Sequence, residues 1–149
     1  MEKTISKNPL FFAWFLPALT DGTVTLLGQN KNYRSNYVLV NEASPAYYFL
    51  AASPWLFILG SMLWFAFWYW LFLRLKKPIN LFLMFLFISG HSWGVASWIF
   101  KILKDQGFYL PTNQLSVISA WVVVIGYFGL IALAATFCLN IYLKKNNRH

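Results

Sequence analysis

Charge is what this sequence has least of. Charged residues make up 11% of its 149 residues, and four of them are acidic, against roughly a quarter charged in soluble domains. A surface so poor in charge does not stay dispersed in water, which excludes a soluble globular protein. The single cysteine excludes a disulfide scaffold, because it has no partner within the chain. Disorder is excluded by the opposite excess, 59% hydrophobic and 21% aromatic residues. Catalytic templates are missing as well: no nucleophile elbow, His-Glu-x-x-His, Cys-x-x-Cys or phosphate-binding glycine loop is expected, and there is no internal repeat or low-complexity segment.

What is there is length without charge. A bilayer core about 30 Å thick takes about 20 apolar residues in a helix. Ala43 to Leu73, Pro78 to Phe100 and Gln106 to Leu143 are all uncharged, and Pro9 to Gln29 is apolar in its first half but carries Asp21, Thr23 and Thr25. Lys3 and Lys7 ahead of that first stretch would suit a signal peptide, yet no small-x-small cleavage site follows, so it is expected to be retained. The chain therefore reads as a single all-α integral membrane domain, a bundle of four transmembrane helices with spans at about 9–29, 54–73, 79–103 and 115–143. Ser44-Pro45 and Ser53-Pro54 each set a capping hydroxyl before a proline suited to the first helical position. This predicts a short interfacial helix over Pro45 to Ala52 before the second span, with Tyr47, Tyr48 and Phe49 at headgroup level. Thr112 or Asn113 can cap the fourth helix. The outward loop 30–46 is polar except for Tyr37-Val38-Leu39-Val40 and is long enough to have a role of its own.

Four spans put both ends on one side. Lys3, Lys7, Arg74, Lys76, Lys77, Lys144, Lys145 and Arg148 lie on that side, twice as many basic residues as Lys31, Arg34, Lys101 and Lys104 on the other. Lysine and arginine near span ends favour the cytoplasm, so both termini and the middle turn are expected there. The net charge of +8 is accounted for by this bias and by anionic lipid, and needs no nucleic acid.

Two ionisable groups fall inside spans, where an Asp costs about 2.5–3.5 kcal/mol at a helix centre on insertion scales. Asp21 and His91 lie equally far from the starts of their helices (9 to 21, 79 to 91), about 18 Å at 1.5 Å per residue. If the first and third helices are neighbours, the two side chains meet. One reading is structural, the pair or Thr25 and nearby serines holding two helices in register. The other is a polar intramembrane site of Asp21, His91, Thr25, Ser61 and Glu42, serving as a proton relay, metal half-site or acid–base pair. Glu42 reaches that layer only if the outward loop folds back. A metal is left open, since zinc needs at least three protein ligands.

Gly90, Gly94 and Ser97 form a small-residue face suited to close helix packing. The alternative use of that space is a planar cofactor, a haem or chlorin on His91 as single axial ligand; the other histidine, His149, is at the tail. No cofactor is favoured. Most of the eight tryptophans are expected to face lipid or its interface, and Cys138 is read as a small buried hydrophobe.

Asp21-Gly22-Thr23 and Asn41-Glu42-Ala43-Ser44-Pro45 together resemble small bacterial membrane proteins, and no activity is implied by the likeness. The expected location is the bacterial cytoplasmic membrane. The first functional expectation is a non-catalytic accessory or assembly subunit of a larger membrane complex, with other membrane subunits as partners. The second is a self-contained site on Asp21 and His91 that moves protons or metal or acts on a lipid-like substrate.

Overall fold

The computed structural model describes residues 5–146, so Lys3, Arg148 and His149 lie outside the described residues. Among the described residues there is no strand. Four helices are long and apolar enough to cross a membrane: α1 (Pro9–Leu27), α3 (Pro54–Phe72), α4 (Ile79–Asp105) and α5 (Gln114–Asn146). A short α2 (Tyr47–Ala52) precedes α3.

Local chemistry sets the ends. Ser53 Oγ accepts from Trp55 N at 3.1 Å, with Pro54 at the first helical position of α3. Asn113 Oδ1 accepts from Leu115 N and Ser116 N at 3.0 and 3.3 Å and so caps α5. The first helix ends at Leu27, earlier than the expected residue 29, and Gly28 takes the cap position. At Gly28 a Cβ would lie 2.4 Å from the Trp98 ring, so only glycine lets α4 close over this end. The third long helix runs past residue 103 to Asp105, its last turn held by Lys101 Nζ to Asp105 Oδ2 at 2.7 Å, four residues apart.

The first helix is the hub, packing chiefly along α4, then α5, then α3. Its contacts with α4 keep a nearly constant sequence separation, 70 for Asp21 with His91 and 73 for Gly28 with Lys101, so these two helices run parallel. Against α3 it is antiparallel: Asn8 Nδ2 donates to Tyr69 O at 2.8 Å at one end, Trp14 and Phe15 meet Phe65, and Gly22 meets Phe57 further on. Asn80 Nδ2 donating to Tyr142 OH and Phe100 against Trp121 make α4 and α5 antiparallel too. The start of α1, the α3–α4 turn and the end of α5 therefore gather at one end of the molecule.

The stripe Leu10, Trp14, Ala18, Asp21, Thr25 recurs every three or four residues down α1. Trp14 is fully buried, surrounded by Phe11, Phe65, Trp68, Phe72 and Phe87 at centroid distances of 5.1, 6.1, 6.4, 5.9 and 4.8 Å. Such ring pairs contribute about 0.5–1.5 kcal/mol each beyond the area they bury. Trp98 is an exception to the lipid-facing majority expected of the tryptophans, 7% exposed because Gly28 gives it a seat. Cys138 is buried in the same core as Trp14.

Residues 29–46 fold back on the bundle. Gln29 clasps the far end of the loop, its Oε1 accepting from Asn41 N at 2.8 Å and its Nε2 donating to Thr25 O at 3.0 Å. The apolar interruption at Tyr37–Leu39 is a 3₁₀ turn, as is Lys31–Arg34. Tyr33, 3% exposed, donates its hydroxyl to Leu50 O at 2.9 Å. Burial, and to a smaller degree Tyr37, raises the Tyr33 hydroxyl above its ordinary range, which keeps it protonated and donating. The short helix begins at Tyr47 rather than Pro45: Ser44 Oγ accepts from Ala46 N at 3.2 Å and turns the chain before the helix starts. Phe49 from α2 rests on Gly60 of α3, where a Cβ would be 3.3 Å from its ring.

Trp14→Ala is expected to destabilise the fold by about 3–5 kcal/mol, whereas Trp55→Ala, at a position 77% exposed, changes it by no more than about 0.5 kcal/mol. Unfolding of both variants in one detergent, followed by circular dichroism, checks the contrast.

Candidate functional site

The parallel run of α1 beside α4 brings Asp21 Oδ2 to 2.9 Å from His91 Nδ1. With the carboxylate ionised, Nδ1–H donates to it and Nε2 is left as the basic nitrogen. The pair is neither sealed nor solvated: the His91 and Asp21 side chains are 28% and 22% exposed. Trp14 stacks on the imidazole at 6.2 Å and 15°, and Phe87 tilts against it at 6.4 Å. The core thus fixes the plane of the imidazole.

Gly94 makes the carboxylate possible. A Cβ there would lie 2.6 Å from Asp21 Oδ1 and 2.9 Å from Oδ2, distances that real Cβ atoms do not take up. The small-residue face expected to admit a neighbouring backbone therefore admits an acid side chain. Gly90, expected to pack, has nothing within 4 Å of where a Cβ would stand; it faces a void. Ser97 donates to Gly94 O at 2.7 Å within its own helix.

That void is a half-open cleft of about 760 Å³ between α1, α3 and α4, closed on one side by the returning loop. Asp21, Thr25, Ser61, His91 and Glu42 all line it, as do Gly90, Gly94 and Ser97. Its other walls are apolar and aromatic, with Trp64, Phe65, Phe87, Trp93 and Trp98 on α3 and α4 and Phe49 from α2. Glu42 arrives because the loop folds back, but its Oε1 accepts from Ala43 N and Ser44 N at 3.0 and 2.8 Å, so part of its work is to shape the turn. Thr25 is buried at 4% exposure. Among the described residues no lysine or arginine lines the cleft.

The arrangement is an acid–imidazole dyad at the polar end of a greasy slot. Among the described residues no three His, Cys, Asp or Glu side chains converge to hold a metal ion, and the dyad alone is short of the three protein ligands zinc takes. The residues Gly90-His91-Ser92-Trp93-Gly94 do spell Gly-x-Ser-x-Gly, which corrects the expectation at the level of letters. A nucleophile elbow needs a sharp strand-to-helix turn. Here the string lies within α4, and Ser92 is 7% exposed and off the cleft wall. Trp14 escapes sequence reasoning because nothing in the local string marks it as the ring beneath the imidazole; its place on the stripe with Asp21 is the signal that was available.

No protein-family model matches the chain, and no curated protein or solved structure matches it either.

Gly94→Ala is expected to displace the carboxylate and destabilise the protein by about 1–3 kcal/mol, as overpacking does. Gly90→Ala, with open space around it, is expected to be neutral or to stabilise α4 by up to about 1 kcal/mol through helix propensity. Thermal unfolding separates the two, and ¹⁵N shifts of the His91 ring report loss of the Nδ1 hydrogen bond in the first variant alone.

Proposed function

We propose that this chain is an integral membrane protein of the bacterial cytoplasmic membrane, with both termini and the α3–α4 turn on the cytoplasmic side, that takes an amphipathic, lipid-like molecule into the lateral cleft. The orientation rests on the excess of lysine and arginine at the end where α1 starts and α5 finishes. One observation carries the function: Asp21, Thr25, Ser61 and His91, on three different helices, line the same aromatic-walled slot, together with Glu42 from the loop. Ligand sites are mostly apolar concavities with a few convergent polar groups, and ionisable side chains within spans belong to such sites by default. The polar end of the ligand meets Asp21 and the free Nε2 of His91, and its apolar body lies along Phe57, Phe65 and Leu86. Carboxylates without a lysine or arginine favour a headgroup that donates hydrogen bonds or carries positive charge, and the tryptophan faces add cation–π attraction. The dyad can accept and return a proton there.

A second reading, an accessory subunit in a larger membrane complex, is supported by α3, whose one buried residue is Phe72 and whose Trp55, Met62 and Leu63 are all exposed. That surface equally suits lipid tails.

Titration of the detergent-purified protein with a brominated long-chain alkylamine, which quenches nearby tryptophans, tests the first reading. Saturable quenching is expected, weakened about tenfold or more in Asp21→Asn and abolished in Gly90→Phe, which fills the slot. Equal quenching in all three proteins overturns the cleft as the site. Stoichiometric partners recovered from native membranes in mild detergent, with no saturable quenching, favour the accessory role instead.

A further inference from the structure

The lysine-rich end of the molecule holds a second concavity, of about 560 Å³ and half open, bounded by the start of α1, the α3–α4 turn and the end of α5. Four lysines surround it, Lys7, Lys76, Lys77 and Lys145, contributed by three segments far apart in sequence. All four are exposed, and among the described residues none is paired with a carboxylate and no acidic residue lines the pocket. Lys77 lies 5.1 Å above the Tyr142 ring, which orients it without neutralising it. Its inner wall joins Leu10, Phe72 and Leu75 to the buried amides of Asn8 and Asn80.

Four lysines lining one hollow repel one another, and an anion in the hollow relieves that repulsion. Apolar side chains and amides inside a cationic rim suit a polar, charged group carried on a hydrophobic body. We infer that this pocket binds a phosphate ester, carried by the headgroup of an anionic phospholipid in the leaflet at this end of the bundle. Lysine recognises phosphate as a compact point charge, and basic pockets between spanning helices are where anionic headgroups settle. The site is separate from the acid-lined cleft, shares no residue with it, and has the opposite charge preference.

Native mass spectrometry of the full chain in neutral detergent, titrated with phosphatidylglycerol or with phosphatidylcholine of the same acyl chains, tests this. One phosphatidylglycerol per chain is expected to bind at least tenfold more tightly than phosphatidylcholine. The double variants Lys76→Gln/Lys77→Gln and Lys7→Gln/Lys145→Gln should each lose about tenfold. Lys31→Gln/Lys104→Gln, with the same charge removed elsewhere, should lose nothing. All these positions are exposed, and an unchanged melting temperature confirms that each variant folds. Inorganic phosphate is the second probe: if it binds the wild type but not Lys76→Gln/Lys77→Gln while phosphatidylglycerol does not bind, the phosphate group stands and its source is the soluble pool. Binding that is unaltered by both pocket variants, that falls equally in the Lys31/Lys104 control, or that is equal for the two lipids overturns the inference.

Discussion

A carboxyl group on a mostly apolar helix face is the constraint around which the rest of this structure is arranged. Asp21 shares its stripe with Leu10, Trp14 and Ala18, so packing that stripe against α4 brings the acid with it. Three accommodations meet it. Gly94 withdraws its side chain, His91 supplies a hydrogen-bond donor at 2.9 Å, and the neighbouring void leaves both groups partly open instead of sealing them. With the carboxylate ionised, such a bond is about twice as strong as a neutral one, which offsets part of the desolvation of the acid.

The same packing explains why the cleft exists. With α1 and α4 held together by Trp14, Trp98 and the dyad, α3 meets α1 through large rings at Phe65 and Phe57 and α4 through Trp68 on Phe87, while Gly90 leaves open space beside them. The loop then covers part of the opening. Its fold depends on few contacts: the Gln29 clasp on Asn41, the Tyr33 hydroxyl on Leu50 O, and Phe49 on Gly60. Shape at the slot thus depends on residues distant from the dyad.

Much of this was legible from composition and spacing. Four apolar stretches, the Ser53-Pro54 start and the equal depth of Asp21 and His91 all follow from period, rise and capping chemistry. The meeting of the two side chains needed one thing that spacing does not contain, namely that the first and third long helices are neighbours. The glycines illustrate the limit. Their separation by four residues is the same whether the face receives a backbone, a carboxylate or nothing, and only tertiary placement distinguishes Gly94 from Gly90. Trp14 and Trp98 were hidden for a related reason, since a tryptophan in an apolar run has the same local signature in a core as at a lipid boundary. Glu42 required the loop to return, which depends on a glutamine clasp no pattern announces.

The pairing of Lys101 with Asp105 and Gly28 O has an electrical side. At that end of the bundle four basic residues, Lys31, Arg34, Lys101 and Lys104, are accompanied by the carboxylates Glu42 and Asp105. At the other end Lys7, Arg74, Lys76, Lys77, Lys144 and Lys145 have no acid beside them among the described residues. The fixed charges of the described residues are therefore shared unequally between the two ends. Each elementary charge moved across 100 mV is worth about 2.3 kcal/mol, so on the orientation proposed above a voltage negative at the lysine-rich end would resist inversion of the bundle.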